Sequence, residues 1–154
     1  MTDWKAAAVA ALQGKTIATA ESCTGGGIGE ALTAVPGSSA VFKGGIISYC
    51  DEIKQRLLGV PPEMLSRFGA VSAPVAEEMA RGAKAALAAD MAVSVTGLAG
   101  PSADAYGNSV GTVFIGWCDK KGAFSREYHF SGDREAVRSQ AVEMALRLIA
   151  EQNS

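Results

Sequence analysis

Apolar residues return at every fourth position through Val75, Met79, Ala83 and Leu87, which predicts a long amphipathic helix opened by Ser72 and Pro74. Val137, Ala141, Ala145 and Leu148, three or four residues apart on one face, predict a last helix capped by Asp133. An alanine-rich stretch over 3–13, stopped by Gly14, reads as a first helix. Other runs are short, apolar and bounded by turn residues, as strands are: 16–20, 41–50, 91–95, 110–118 and 124–130. The last two are joined by Asp119-Lys120-Lys121-Gly122, which reads as a hairpin turn. Helical spacing recurs over 28–35 and over 51–58, the second capped by Asp51, and Pro61-Pro62 starts another short helical piece. The polar stretch 102–109 reads as an exposed loop. Strands alternate with helices early and pair as a hairpin late. The class is therefore α/β: one layered domain over 1–154, with a mixed β-sheet covered by helices.

Composition narrows the function. The chain has 154 residues, 48% of them hydrophobic, which is enough for one buried core. A net charge of −2 without clustered Lys and Arg argues against a nucleic-acid partner. No apolar run is long enough for a bilayer, and residues 1–13 lack the pattern of a secretion signal, so no membrane partner is expected. Three cysteines without a CxxC pair fit free, buried thiols in a reducing cytoplasm. A single histidine, His129, gives no zinc-ligand pattern and reads as structural.

Glycine changes the picture most. Eighteen glycines concentrate at 25–29, 44–45 and 97–100, as in close backbone turns. The first of these follows a strand and opens a helix, so free N–H groups and a positive dipole end point into it. Such a turn can hold a phosphate or an oxyanion. The P-loop and dinucleotide fingerprints both fail on spacing, because Val9 and Glu30 stand where glycines are required. Spacing alone leaves a structural turn and a ligand site equally open.

Ser22 sits at this strand-to-helix corner and needs a base to become a nucleophile. Lys54, one turn into a helix and near Tyr49, can serve if burial lowers its pKa. Taken alone it reads as a solvated lysine, and Tyr49 as a core aromatic. Thr96-Gly97-Leu98-Ala99-Gly100-Pro101 makes a second glycine turn at a strand's carboxyl end, where ligands of open α/β sheets gather. Arg134 and Arg138 lie four apart and can share a helix face.

Seven blocks then fall in one order across nearly the whole chain. They are Ala-Glu-Ser-Cys-Thr-Gly-Gly at 20–26, Gly-Ser-Ser at 37–39, Ser48-Tyr49 with Lys54 and Leu-Leu-Gly-Val at 57–60, Gly-Ala-Val-Ser at 69–72, Thr-Gly-Leu-Ala-Gly-Pro at 96–101, Val-Gly-Thr-Val at 110–113 and Phe-Ser-Gly-Asp-Arg at 130–134. Together they resemble the CinA C-terminal-domain family. The resemblance implies a stand-alone domain that hydrolyses the carboxamide of nicotinamide mononucleotide to the acid and ammonia, by a Ser–Lys mechanism without metal or cofactor. It implies Ser22 as nucleophile, Lys54 as base and Tyr49 as its assistant. Thr24, Gly25 and Gly26, with Thr96, Gly97 and Gly100, would shape the oxyanion and ligand turns. Arg134 or Arg138 would hold the phosphate. A small-molecule nucleotide is thus the expected partner, and a homo-oligomer the expected assembly. One departure sets a second expectation. The family's Ala-Gly-Pro turn usually leads into an acidic, glycine-rich stretch ending in Lys-Pro, and 102–109 lacks both residues. A non-catalytic nucleotide-binding or regulatory module of the same fold is the alternative, followed by an amidase for another carboxamide.

Overall fold

A computed structural model describes all 154 residues. The chain runs α1 (Trp4–Ala11), β1 (Ile17–Glu21), α2 (Gly27–Thr33), a 3-10 turn (Ser38–Ala40), β2 (Phe42–Ile47), α3 (Asp51–Leu58), α4 (Pro62–Phe68), α5 (Ala73–Ala86), β3 (Met91–Gly97), β4 (Thr112–Asp119), β5 (Gly122–His129) and α6 (Arg134–Gln152). The strands form one five-stranded sheet in the order β2-β1-β3-β4-β5. β1 pairs parallel with both β2 and β3, while β3–β4 and β4–β5 are antiparallel, so the sheet is mixed as the pattern predicted. Pairing of Asp119 with Gly122 leaves only Lys120 and Lys121 in the hairpin turn.

Two apolar layers close the sheet. On one face Val9, Leu12, Ile28 and Leu32 of α1 and α2 meet Val137, Ala141 and Ile149 of α6 over Ile17, Val93 and Ile115. On the other, Leu58, Leu65, Val75, Met79 and Ala83 of α3–α5 cover Ala18, Ala20 and Ala92. Alternate residues of β1 thus face opposite layers, which fixes its register.

Most elements end within a few residues of their predicted bounds. The strand predicted over 41–50 spans Phe42–Ile47, and Ser48 N–H, donating to Glu21 O at 2.7 Å, makes the last bond to β1. The cap of α3 is Cys50 rather than Asp51; the helix starts one residue early, and Asp51 joins its first turn, where a carboxylate still suits the dipole. Asp133 caps α6 as expected, accepting from Ala136 N–H at 2.9 Å.

The topology places a crevice. β1 hands the chain to β2 on one side, and β3 hands it to β4 on the other, so their connections part above the neighbouring carboxyl ends. In open α/β sheets this is where ligands bind.

Candidate active site

Ser22 follows the last residue of β1, and its N–H donates to Val95 O of β3 at 3.0 Å. That bond extends the ladder by one residue and sets the side chain at the crevice. The cleft there has a volume of about 370 Å3. Ser22 and Cys23 line it with Tyr49, Asp51 and Lys54, and the facing wall is Ala70, Val71 and Thr96–Ser102. Arg134 stands at its margin.

Lys54 is only 1% exposed, so the reading as a solvated lysine fails. It shares the inward face of α3 with Leu58, one turn on. Its Nζ donates to Ser22 Oγ at 3.2 Å and to the Ser48 carbonyl at 2.6 Å. Burial lowers its pKa from 10.5 by disfavouring the ammonium, while the Asp51 carboxylate and the Cys50 and Cys23 thiols pull the other way. An amine in its neutral form beside a hydroxyl can accept that hydroxyl's proton, and burial favours that form.

The turn after Ser22 is built to hold shape. Gly25 and Gly26 take φ of +60° and +103°, the left-handed region that suits glycine. Gly26 caps α2 without a side chain, and Glu21, to which the sequence assigned no role, does the work instead. Glu21, 1% exposed, accepts from Thr24 Oγ1 at 2.7 Å and from the N–H groups of Ile28 and Gly29 at 2.8 and 2.9 Å. The available signal was a carboxylate just before a glycine turn that opens a helix.

The structure divides the predicted residues. Ser22, Lys54, Tyr49, Thr96, Gly97, Gly100 and Arg134 share the cleft. Thr24, Gly25, Gly26 and Arg138 do not line it. Thr24 is buried with its hydroxyl spent on Glu21. Arg138 donates from Nε to Cys23 O at 3.0 Å and from Nη2 to Thr24 O at 3.2 Å. Gly25 N–H is occupied too, donating to Ser22 O at 3.1 Å. Tyr49 is not a core aromatic but 62% exposed, and its hydroxyl accepts from Arg134 Nη2 at 2.8 Å rather than meeting Ser22 or Lys54. Arg134 Nη1 donates to Gly100 O at 2.7 Å, so it ties the β2–α3 turn to the β3–β4 connection. Thr96 Oγ1 donates to Ala70 O at 2.8 Å and links the two halves of the far wall.

The cysteines differ. Burial pushes the Cys23 thiol up to about 11, partly offset by its own amide and by Arg138. Cys118 is buried, whereas Cys50 is exposed, contrary to the expectation of three buried thiols. His129 lies on β5, 2.7 Å from Glu127 Oε2, and takes no part in the cleft. No helix is long and apolar enough to cross a membrane.

Comparison with known proteins identifies relatives in sequence and in fold. A sequence model of the CinA C-terminal domain matches residues 3–153. The nicotinamide-nucleotide amidohydrolase PncC of Pseudomonas putida is 52% identical over 130 residues, 84% of this chain and 81% of that protein. A CinA-like protein of Thermosynechococcus vestitus is 53% identical over 90% of this chain, which spans only 34% of that longer protein. A solved structure of a competence or damage-inducible protein from Enterobacter asburiae superposes with a TM-score of 0.95 at 34% identity, covering 99% of this chain and 97% of that one. The chain belongs to the CinA C-terminal domain family.

Proposed function

We propose that this chain is a nicotinamide-nucleotide amidohydrolase that converts nicotinamide mononucleotide to nicotinic acid mononucleotide and ammonia. The observation that carries the reading is the buried Lys54 amine 3.2 Å from Ser22 Oγ. Support comes also from the Pseudomonas putida relative, a nicotinamide-nucleotide amidohydrolase by name. Neutral Lys54 takes the Ser22 proton as Oγ attacks the carboxamide carbon. The oxygen of that carbon gains negative charge, which the amide N–H next to Ser22 stabilises. The C–N bond breaks, and Lys54 returns the proton to the departing ammonia. Water, deprotonated by the same amine, then splits the acyl ester and frees both the acid and Ser22.

The nucleotide's phosphate falls to Arg134, whose guanidinium Tyr49 and Gly100 hold at the cleft margin. Tyr49 acts here through Arg134 and by offering its exposed ring. No step calls on a metal or cofactor. A cytoplasmic homo-oligomer belongs to the same proposal.

The test is ammonia release from nicotinamide mononucleotide by the purified chain, with and without a chelator, beside Ser22→Ala. Turnover that needs Ser22 and ignores the chelator is expected; an active Ser22→Ala protein sinks the nucleophile. The altered 102–109 stretch favours one competing reading, a nucleotide-binding module. Thermal stabilisation by the nucleotide without ammonia would select it.

A further inference from the structure

Arg138 grips the nucleophile turn from behind. Besides its two bonds to the turn's carbonyls, it lines a second hollow between α1, α2 and α6, with Lys5, Glu30 and Glu135, and not the cleft that holds Ser22. A guanidinium committed to backbone on that side is not placed to clamp a substrate phosphate.

What it does to the backbone follows from peptide geometry. In a trans peptide the carbonyl and the next N–H lie in one plane and point in opposite directions. A carbonyl that is held therefore aims the amide beside it. Arg138 Nη2 holds the Thr24 carbonyl at 3.2 Å, which turns Gly25 N–H toward Ser22 O at 3.1 Å. That bond in turn holds the Ser22 carbonyl and so aims the N–H of Cys23. Arg138 Nε holds the Cys23 carbonyl at 3.0 Å and aims the N–H of Thr24 in the same way. Neither Thr24 N–H nor Cys23 N–H donates to a backbone acceptor elsewhere in the chain. Cys23 lines the cleft directly beside Ser22. Two consecutive glycines follow, at positive φ, so these peptides have little intrinsic stiffness of their own.

We propose that Arg138 is a positioning residue that orients the Cys23 amide, through the Thr24 carbonyl and the Gly25-to-Ser22 hydrogen bond, toward the oxygen that becomes negative when Ser22 is acylated. The proposal rests on Ser22 acting as a nucleophile but not on the identity of its substrate.

The experiment therefore uses two reactions. One is ammonia release from nicotinamide mononucleotide; the other is acylation of Ser22 by p-nitrophenyl acetate, read as a nitrophenolate burst and by mass. Arg138→Met keeps the aliphatic stem and removes every donor. It is expected to lower kcat and the acylation rate alike, on the order of 10²-fold as for a lost oxyanion donor, with KM unchanged. Arg138→Lys, which keeps one charged donor, falls between, and remains informative if Arg138→Met does not fold. Millimolar guanidinium restores Arg138→Ala in both reactions without raising its urea midpoint, a response that a purely structural role does not give. Raised KM with kcat intact overturns the proposal, as does an unchanged acylation rate. A wild-type chain acylated at Ser22 but silent toward the mononucleotide refutes the substrate alone, and the acylation rates still decide the role of Arg138. A wild-type chain that p-nitrophenyl acetate never acylates at Ser22 overturns both.

Discussion

Glu21→Ala removes three hydrogen bonds at one stroke, and its cost can be worked from the contacts. The carboxylate receives the Thr24 hydroxyl at 2.7 Å, Ile28 N–H at 2.8 Å and Gly29 N–H at 2.9 Å. Nothing replaces it, since the cap residue Gly26 has no side chain and Glu21 is sealed from water. Each buried donor left without a partner costs about 1–3 kcal/mol. Losing a helix cap elsewhere costs about 1 kcal/mol, because water usually reaches the freed amides. Ile28 and Thr24 are buried and Gly29 is half-buried, so the sum is expected near 4 kcal/mol. A domain of this size is stable by about 10 kcal/mol. With a urea slope of about 2 kcal/mol per molar, the unfolding midpoint should fall by about 2 M. Glu21→Gln keeps one acceptor oxygen and should lose about half as much. Urea titration followed by the fluorescence of Trp117, buried in the core, measures both. A Glu21→Ala midpoint within about 0.5 M of wild type would refute the idea that this carboxylate caps α2.

The lowered pKa of Lys54 predicts that kcat/KM rises with pH through a limb below 10.5, and that Lys54→Met loses about 10²–10⁴-fold in rate. Between the lowered value and 10.5 the unfolded chain holds a proton that the folded chain has shed, so stability rises with pH there. Urea midpoints at neutral and alkaline pH should show that rise in wild type and a smaller one in Lys54→Met; equal slopes would contradict it. Among the three thiols, a disulfide reagent at pH 8 should modify Cys50 quickly, while buried Cys118 and Cys23, the latter held at about 11, wait for denaturant. Rapid labelling of Cys23 in the native protein would show that its burial is not maintained. Gly69→Ala should destabilise the fold by about 1–3 kcal/mol, because Gly69 has φ +79° and an added Cβ would come within 2.6 Å of the Tyr106 ring. Tyr106→Ala should make that second change cheaper, and a double-mutant cycle showing strict additivity would rule the contact out.

The layered sheet was legible because its signals are periodic and local. β3 and α5 each present an apolar pattern that has only one satisfactory burial. The site was legible unevenly, for reasons visible in single residues. Ser22 announced itself through the corner it occupies. Lys54 did not, because its burial on the inward face of α3 and its bond to the Ser48 carbonyl exist only in the folded chain. Arg134 and Arg138 looked alike because four residues share a helix face. Along the axis, however, they stand about 6 Å apart. That rise puts Arg134 against Tyr49 and Gly100, and Arg138 against the carbonyls of Cys23 and Thr24. Thr24, Gly25 and Gly26 looked like ligand residues for a related reason: a glycine turn advertises free amides, and sequence does not reveal which of them Glu21 and Ser22 have already taken.

The stretch 102–109, where this chain departs from the family's usual pattern, has its own internal order. Asp104 accepts from the N–H groups of Tyr106 and Asn108 at 3.0 and 3.1 Å and from Asn108 Nδ2 at 2.7 Å. The loop is then fastened outward, by Tyr106 OH to Ser66 O at 3.0 Å and by Asn108 Nδ2 to Val71 O at 3.0 Å. Val71 and Ser102 both line the cleft, so the loop braces the wall that faces Lys54. Ser22 and Lys54 are held by other segments: the β1 end, Ser48 and α3. Losing the family's lysine and proline therefore changes a wall and leaves the Ser–Lys contact intact. On the proposed reading the departure bears on how the nucleotide is held against that wall, and its effect is expected in KM rather than kcat.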